Sequence, residues 1–151
     1  MKVLGIRNYS DGFMYCILEK NEEGTTCLNL NGENKITLPK NQDDNQLLIW
    51  YQDEIDRILD SNQGIERVAI KHNENTKDCY SKLKKVMFMD CIATLETTRK
   101  NIPVNSYVYN NLHLSSKNVL DKAEAIVGKS QKYWDTKFAD AIMAANKEFE
   151  I

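Results

Sequence analysis

The spacing of apolar residues changes along the chain, and this change constrains the fold more than any other sequence feature. The first forty residues carry short apolar runs, "KVLGIRN" and "FMYCILEK", separated by the turn signal "YSDG". The segments "GTTCLNL" and "NKITL" continue the pattern on either side of "NGEN". The sequence therefore predicts three or four consecutive antiparallel strands, of which the first two form a hairpin.

Beyond this region the apolar residues recur at helical spacing. Helices are predicted over residues 43–59, 76–98, 116–127 and 131–149. Asn41 is the candidate N-cap of the first helix, and Gly128 ends the third. The segments "IERVAIKH" and "PVNSYVYN" are predicted strands on either side of the second helix. The order β-β-β-α-β-α-β-α-α predicts an α/β fold with a mixed sheet, antiparallel on one side, parallel on the other, and flanked by helices.

Composition limits the class of protein. A chain of 151 residues with 42% hydrophobic residues is long enough for one core, so residues 1–151 are predicted to form a single domain. The net charge of −2 provides no overall attraction for a polyanion, so nucleic-acid binding would need a local cluster of cations. The chain has no apolar stretch of transmembrane length, no signal peptide and no paired cysteine motif. We therefore expect a cytoplasmic protein with no membrane association.

Several chemistries lack their motifs. The chain contains no glycine-rich phosphate loop and no G-x-S-x-G nucleophile motif. His72 and His113 have no partner at metal-ligand spacing, so both are predicted to be ordinary surface or rim residues. These observations exclude the common nucleotide-binding loops.

Two short pieces at opposite ends of the chain carry a resemblance. The segment "VLGI" at 3–6 is similar to the first strand of RuvC-type Holliday-junction resolvases, and "ADAIMAA" at 139–145 is similar to their last helix. The element order also resembles that of the ribonuclease H-like superfamily to which they belong. The resemblance implies phosphodiester hydrolysis with two divalent ions, Mg²⁺ or Mn²⁺, held by carboxylates from the first strand, the fourth strand and the last helix.

Most of the implied metal-binding positions carry basic residues. The resemblance aligns Arg7, Lys71 and Lys137 with acids, and only Asp140 matches one. A cation about 4 Å from a metal site costs roughly 1 kcal/mol per charge pair even in water, and more in a cleft. We therefore predict no catalytic residue, a degenerate or anion-binding site in which Asp140 pairs with Arg7 or a lysine, and a pseudo-nuclease that acts by binding.

Two alternatives stay open at the sequence level. On a helical wheel Asp140 lies opposite the apolar stripe of its helix, which predicts an ordinary exposed acid. A divergent metal-dependent nuclease acting on structured DNA or RNA would instead need displaced ligands. The fallback ligands for Mg²⁺ or Mn²⁺ are Asp11, Glu74, Asp135 and Asp140.

The second predicted helix is apolar on almost every side, which bears on partners. Its predicted core positions are Tyr80, Leu83, Met87 and Cys91. The residues outside that stripe are Val86, Phe88, Met89 and Ile92. This second face is predicted either to meet other helices or to contact a protein partner, and the RuvC resemblance implies a homodimer through the corresponding helix.

Overall fold

A computed structural model, which describes residues 1–74 and 77–151, contains one mixed β-sheet with helices on both faces. The strands are β1 (Lys2–Tyr9), β2 (Gly12–Asn21), β3 (Gly24–Cys27), β4 (Lys35–Thr37), β5 (Ile65–Lys71) and β6 (Val104–Tyr107). Their order is β3-β2-β1-β5-β6, and β4 pairs with β2. The β1–β2 pair is an antiparallel hairpin, whereas β1, β5 and β6 are parallel. The mixed sheet predicted from the sequence is confirmed.

Helices follow the strands in the predicted order. They are α1 (Asp44–Ser61), α2 (Tyr80–Arg99), α3 (Tyr109–Leu112), α4 (Val119–Val127) and α5 (Thr136–Lys147), and a 3₁₀ turn (Glu148–Glu150) ends the chain. The short helix α3 begins where the sequence predicted the end of a strand. Within the described ranges, no helix combines the length and the apolar character needed to cross a membrane.

The helix boundaries correct several predictions. Asp43, not Asn41, caps α1, because its side chain accepts a hydrogen bond from the Gln46 backbone N–H, and Asn41 lies before it with a left-handed φ of 60°. Helix α5 begins later than predicted, because Tyr133 also has a φ of 60°, which a right-handed helix cannot contain. Gly128 ends α4 as predicted. The predicted start of the second helix, Thr76, lies outside the described residues.

Two apolar layers cover the sheet. Helices α1 and α2 pack on the face that carries Leu4 and Ile6, and α4 and α5 pack on the face that carries Val3 and Met14. Helix α5 comes very close to β1 at Gly5, where an added Cβ would lie 2.2 Å from the Ala141 carbonyl oxygen. Glycine at this position therefore allows the last helix to lie directly on the central strand.

The orientation of α2 differs from the prediction. Tyr80, Met87 and Cys91 were predicted to be buried and are exposed, with Leu83 partly so. Val86 and Met89 were assigned to a possible partner face and are buried in the protein's own core. Phe88 and Ile92 are half-buried. The prediction was wrong because a helix with apolar residues on all sides has no periodicity that defines which side faces the sheet.

Candidate functional site

The predicted site residues meet where the parallel strands end. Arg7 lies near the end of β1, Lys71 ends β5, and Tyr109 begins α3 just after β6. Lys137 and Asp140 come from the first turns of α5, which Gly5 admits close to β1. Together with Glu74 these side chains line one open cavity, named the Lys71 cavity below: Arg7, Lys71, Glu74, Tyr109, Lys137 and Asp140.

Asp140 is buried and fully engaged by hydrogen bonds. Its side chain is only 2% exposed, so the expectation of an ordinary surface acid is wrong. Oδ2 accepts a hydrogen bond from Arg7 Nε at 3.0 Å, and Oδ1 accepts one from the Tyr109 hydroxyl at 2.6 Å. Burial raises the pKa of Asp140 although the Tyr109 hydroxyl and the Arg7 charge oppose the rise. The helical wheel failed because α5 is covered on more than one side.

Arg7 is held in a fixed orientation. Besides its bond to Asp140, the guanidinium donates to the backbone carbonyl oxygen of Asn8 and, at 3.3 Å, to Asn73 Oδ1. A guanidinium has a rigid planar set of donors, and here all three nitrogens have acceptors. Arg7 therefore joins the end of β1 to α5 and to the loop after β5.

Lys71 is the most deeply buried cation of the cavity, at 1% exposure. Its ammonium donates to Glu74 Oε2 at 2.6 Å and to the His72 carbonyl oxygen at 2.8 Å. It also lies 3.9 Å from the centroid of the Tyr109 ring, a cation–π contact. The same Glu74 oxygen accepts the Tyr109 backbone N–H at 2.9 Å. Burial acts to raise the pKa of Glu74, but these two hydrogen bonds and the nearby charges lower it overall.

Lys137 contributes a third positive charge. Its ammonium lies 4.9 Å from the centroid of the Tyr9 ring. Among residues 1–74 and 77–151, no carboxylate lies within ion-pair distance of Lys137. The Lys71 cavity thus holds three cations and two carboxylates, and Lys137 has no carboxylate partner among the described residues.

The fallback metal ligands either have other hydrogen-bond partners or lie outside the Lys71 cavity. Asp11 and Asp135 line a neighbouring groove, where Asp135 caps α5 by accepting the Phe138 backbone N–H at 3.0 Å. Glu74 and Asp140 are paired with Lys71 and Arg7. In the part of the chain that the structure describes, no three Asp, Glu, His or Cys side chains are grouped closely enough to hold a metal ion. This donor set does not fit Mg²⁺ or Mn²⁺, which require several free oxygen ligands.

A buried polar network behind the cavity was missed by the sequence analysis. The Tyr51 hydroxyl donates to Asn8 Oδ1 at 2.7 Å, and Asn8 Nδ2 donates to Asp90 Oδ1 at 2.7 Å. The other Asp90 oxygen lies 3.0 Å from His72 Nδ1, so the half-exposed His72 has an acidic partner that its spacing in the sequence did not indicate. The hydrogen bond with Asp90 raises the pKa of His72. Asn8 directly follows a predicted site residue, which is the one sequence signal that could have indicated this network.

Several solved structures with a similar fold are Holliday junction resolvases. T. thermophilus RuvC in complex with a Holliday junction substrate matches with a TM-score of 0.77 and 16% identity over 96% of this chain and 90% of that chain. The yeast mitochondrial Holliday junction resolvase matches with a TM-score of 0.62 and 14% identity over 95% and 75%. The fowlpox virus Holliday junction resolvase matches with a TM-score of 0.56 and 11% identity over 99% and 96%.

These matches show the fold of this chain. No protein-family model matches it, and no curated protein matches it in sequence. The structural similarity extends over nearly the whole chain, so the protein has a RuvC-like fold. The resemblance predicted from "VLGI" and "ADAIMAA" is confirmed at the level of the fold.

Proposed function

We propose that this protein is a non-catalytic RuvC-like protein, a pseudo-nuclease that acts by binding rather than by cleaving. One observation carries the proposal: the Arg7 guanidinium lies 3.0 Å from the buried carboxylate of Asp140, the one acid that matches the resolvase pattern. The Arg7 charge already compensates this carboxylate, and this pairing opposes the binding of a divalent ion, which needs free carboxylate oxygens.

Electrostatics explains why this arrangement opposes metal binding. A divalent ion would have to compete with Arg7 and the Tyr109 hydroxyl for the oxygens of Asp140, in a cavity that also contains Lys71 and Lys137. Breaking a buried ion pair costs about 3 kcal/mol or more, and repulsion between like charges adds to this cost. Arg7 instead links the end of β1 to α5 through its ion pair with Asp140.

Structured nucleic acid is the first class of ligand to test. The similar solved structures are Holliday junction resolvases, and one was solved with its junction substrate. The net charge of −2 gives this chain no general attraction for DNA or RNA, so binding must depend on local cations such as Lys137. The cytoplasmic location remains a prediction from the sequence.

A second copy of this chain is the proposed protein partner. The outward side of α2 exposes a row of apolar side chains that includes Tyr80, Met87 and Leu95. We infer an interaction surface on this side of α2 from these exposed side chains together with the RuvC resemblance, which implies a homodimer. We expect a homodimer in sedimentation at micromolar concentration, and Met87→Glu should convert it to a monomer. A wild-type monomer at all concentrations would contradict this part of the proposal.

Cleavage assays test the main proposal. Purified protein is incubated with a labelled four-way DNA junction, with single strands and with structured RNA in the presence of Mg²⁺ or Mn²⁺. We expect intact substrates, and no difference between the wild-type protein and Asp140→Asn. The alternative, a divergent metal-dependent nuclease, requires metal-dependent products that disappear in Asp140→Asn. That result would overturn the proposal.

A further inference from the structure

The buried ammonium of Lys71 depends on a single carboxylate. A lysine at 1% exposure needs a close anion, because an unpaired buried charge is very costly. Within the described residues, Glu74 provides the one carboxylate within ion-pair distance, at 2.6 Å. Asp140 is already engaged by Arg7 and Tyr109. A ligand oxyanion that displaces Glu74 must therefore form the ion pair with Lys71 in its place.

Glu74 has the properties of a replaceable partner. Its side chain is 38% exposed, and it follows β5 in a segment that is neither helix nor strand. One of its oxygens, Oε2, accepts both the Lys71 ammonium and the Tyr109 backbone N–H. Because the Glu74 side chain itself is exposed to solvent, a ligand oxygen can take the place of its carboxylate oxygen while Lys71 keeps an anionic partner.

We propose that the Lys71 cavity is a phosphate-binding site, that Glu74 occupies it in the free protein, and that a phosphate monoester displaces Glu74. This inference rests on the proposed non-catalytic function, since it requires a cavity governed by protein cations rather than by metal ions. The ligand oxygens would accept from Lys71 Nζ and the Tyr109 backbone N–H, the two donors that Glu74 now uses.

Charge favours a doubly charged phosphate. When Glu74 leaves, Arg7, Lys71 and Lys137 remain against the single negative charge of Asp140, so the cavity carries two positive charges. A phosphate monoester has close to two negative charges at neutral pH, whereas a diester has one. The hydroxyl groups of Ser116 and Thr136 also line the cavity and add neutral donors. The ligand class is thus a free phosphate monoester or the terminal phosphate of a nucleic-acid strand.

Calorimetric titration with inorganic phosphate tests this proposal on the full chain. Glu74→Gln removes the competing charge while keeping the size of the side chain, so phosphate should bind about fivefold more tightly than to the wild-type protein. Glu66→Gln is the matched control, because it makes the same change in net charge at an exposed ion pair at the other end of β5. Lys71→Met should abolish phosphate binding. Lys137→Met, which removes the half-buried third cation of the cavity, should weaken phosphate binding.

The comparison of the two glutamine variants decides the outcome even if Lys71→Met does not fold. Equal phosphate affinity of Glu74→Gln and Glu66→Gln would overturn the proposal. Two oligonucleotides, one with a 5′-phosphate and one with a 5′-hydroxyl, show where the bound phosphate comes from. Tighter binding of the phosphorylated oligonucleotide indicates that the ligand is the end of a nucleic-acid strand. Binding of inorganic phosphate but of neither oligonucleotide indicates a small phosphate monoester. Metal-dependent cleavage would contradict the proposed function and is measured separately from phosphate affinity.

Discussion

Two buried carboxylates near the C-terminus have similar partners and very different surroundings. Asp140 pairs with Arg7 and Tyr109, and Glu148, about two helical turns later, pairs with Arg67 and Tyr107. Asp140 lines an open cavity that contains two further cations. Glu148 is fully buried in the 3₁₀ turn.

Glu148 is also more completely satisfied. Its carboxylate accepts hydrogen bonds from the Tyr107 hydroxyl at 2.5 Å and from Arg67 Nη1 at 3.4 Å. Asn105 Nδ2 donates to both carboxylate oxygens at 3.1 Å. The comparison shows that an acid–arginine–tyrosine group is not by itself a functional site. What distinguishes the Asp140 group is access from solvent and the presence of cations beyond those needed to balance the acid.

The largest expected effect concerns the two arginines. Arg7→Ala leaves the Asp140 carboxylate buried with no direct cation, and we expect the free energy of unfolding to fall by about 3 kcal/mol. Arg67→Ala should cost less, about 1 kcal/mol, because the Arg67 contact is longer and Glu148 keeps three hydrogen bonds from neutral donors. Urea unfolding measures both values. A larger loss in Arg67→Ala would contradict the distinction between the two groups.

The direct coupling between Arg7 and Asp140 can be measured with a double-mutant cycle. Removing both partners eliminates the unpaired buried charge, so Arg7→Ala combined with Asp140→Ala should lose less stability than the two single variants added together. We expect a coupling energy of about 2 kcal/mol, in the range found for residues in direct contact. Strict additivity would show that the ion pair does not link β1 to α5 energetically.

The two tyrosines provide a sharper test of access from solvent. Tyr107→Phe leaves Glu148 without one donor in a closed environment, and we expect a loss of about 2 kcal/mol. Tyr109→Phe removes the corresponding donor from Asp140, but water can enter the Lys71 cavity and replace it, so the expected loss is about 1 kcal/mol. Urea unfolding of both variants provides the comparison. Equal losses would indicate that the surroundings of the two acids do not differ in access to water.

The smallest expected effect is a dependence of the free energy of unfolding on pH. It comes from the His72–Asp90 pair, which lies behind the Lys71 cavity. The hydrogen bond with Asp90 raises the pKa of His72, and burial and the Lys71 and Arg7 charges oppose the rise. The resulting stabilisation is fully present below the pKa of His72 in the unfolded chain, near 6.5. It is lost as the pH rises through the pKa of His72 in the folded protein.

We therefore expect the wild-type free energy of unfolding to decrease as the pH rises above about 6.5, by an amount that His72→Gln removes. His113→Gln is the control, because His113 lies in a different part of the chain, just after α3. An unchanged pH profile in His72→Gln would show that Asp90 does not stabilise the charged imidazole.

Local sequence signals were reliable where local physics decides. The change of apolar period predicted the order of strands and helices, and the turn signals "YSDG" and "NGEN" separated the right strands. Gly128 ended its helix as expected because a residue with positive φ is favourable there. The exact helix starts were less predictable, because Asn41 and Tyr133 adopt left-handed conformations that their residue types do not require.

The candidate site was only partly predictable. Arg7, Lys71, Lys137 and Asp140 were selected from the resemblance at the ends of strands and helices, and the structure brings all four to one cavity. Tyr109 was missed because it lay in a predicted strand, and in the structure it starts a short helix that turns its side chain toward Asp140.

The sequence by itself determined the alternation of strands and helices and the presence of positive residues where the RuvC resemblance implies acids, because both depend on residue type and spacing along the chain. Only the tertiary structure decided that Asp140 is buried and that α2 turns Met87 toward solvent. Burial and helix orientation depend on which surfaces the sheet and the neighbouring helices cover, and contacts between residues far apart in the chain determine that.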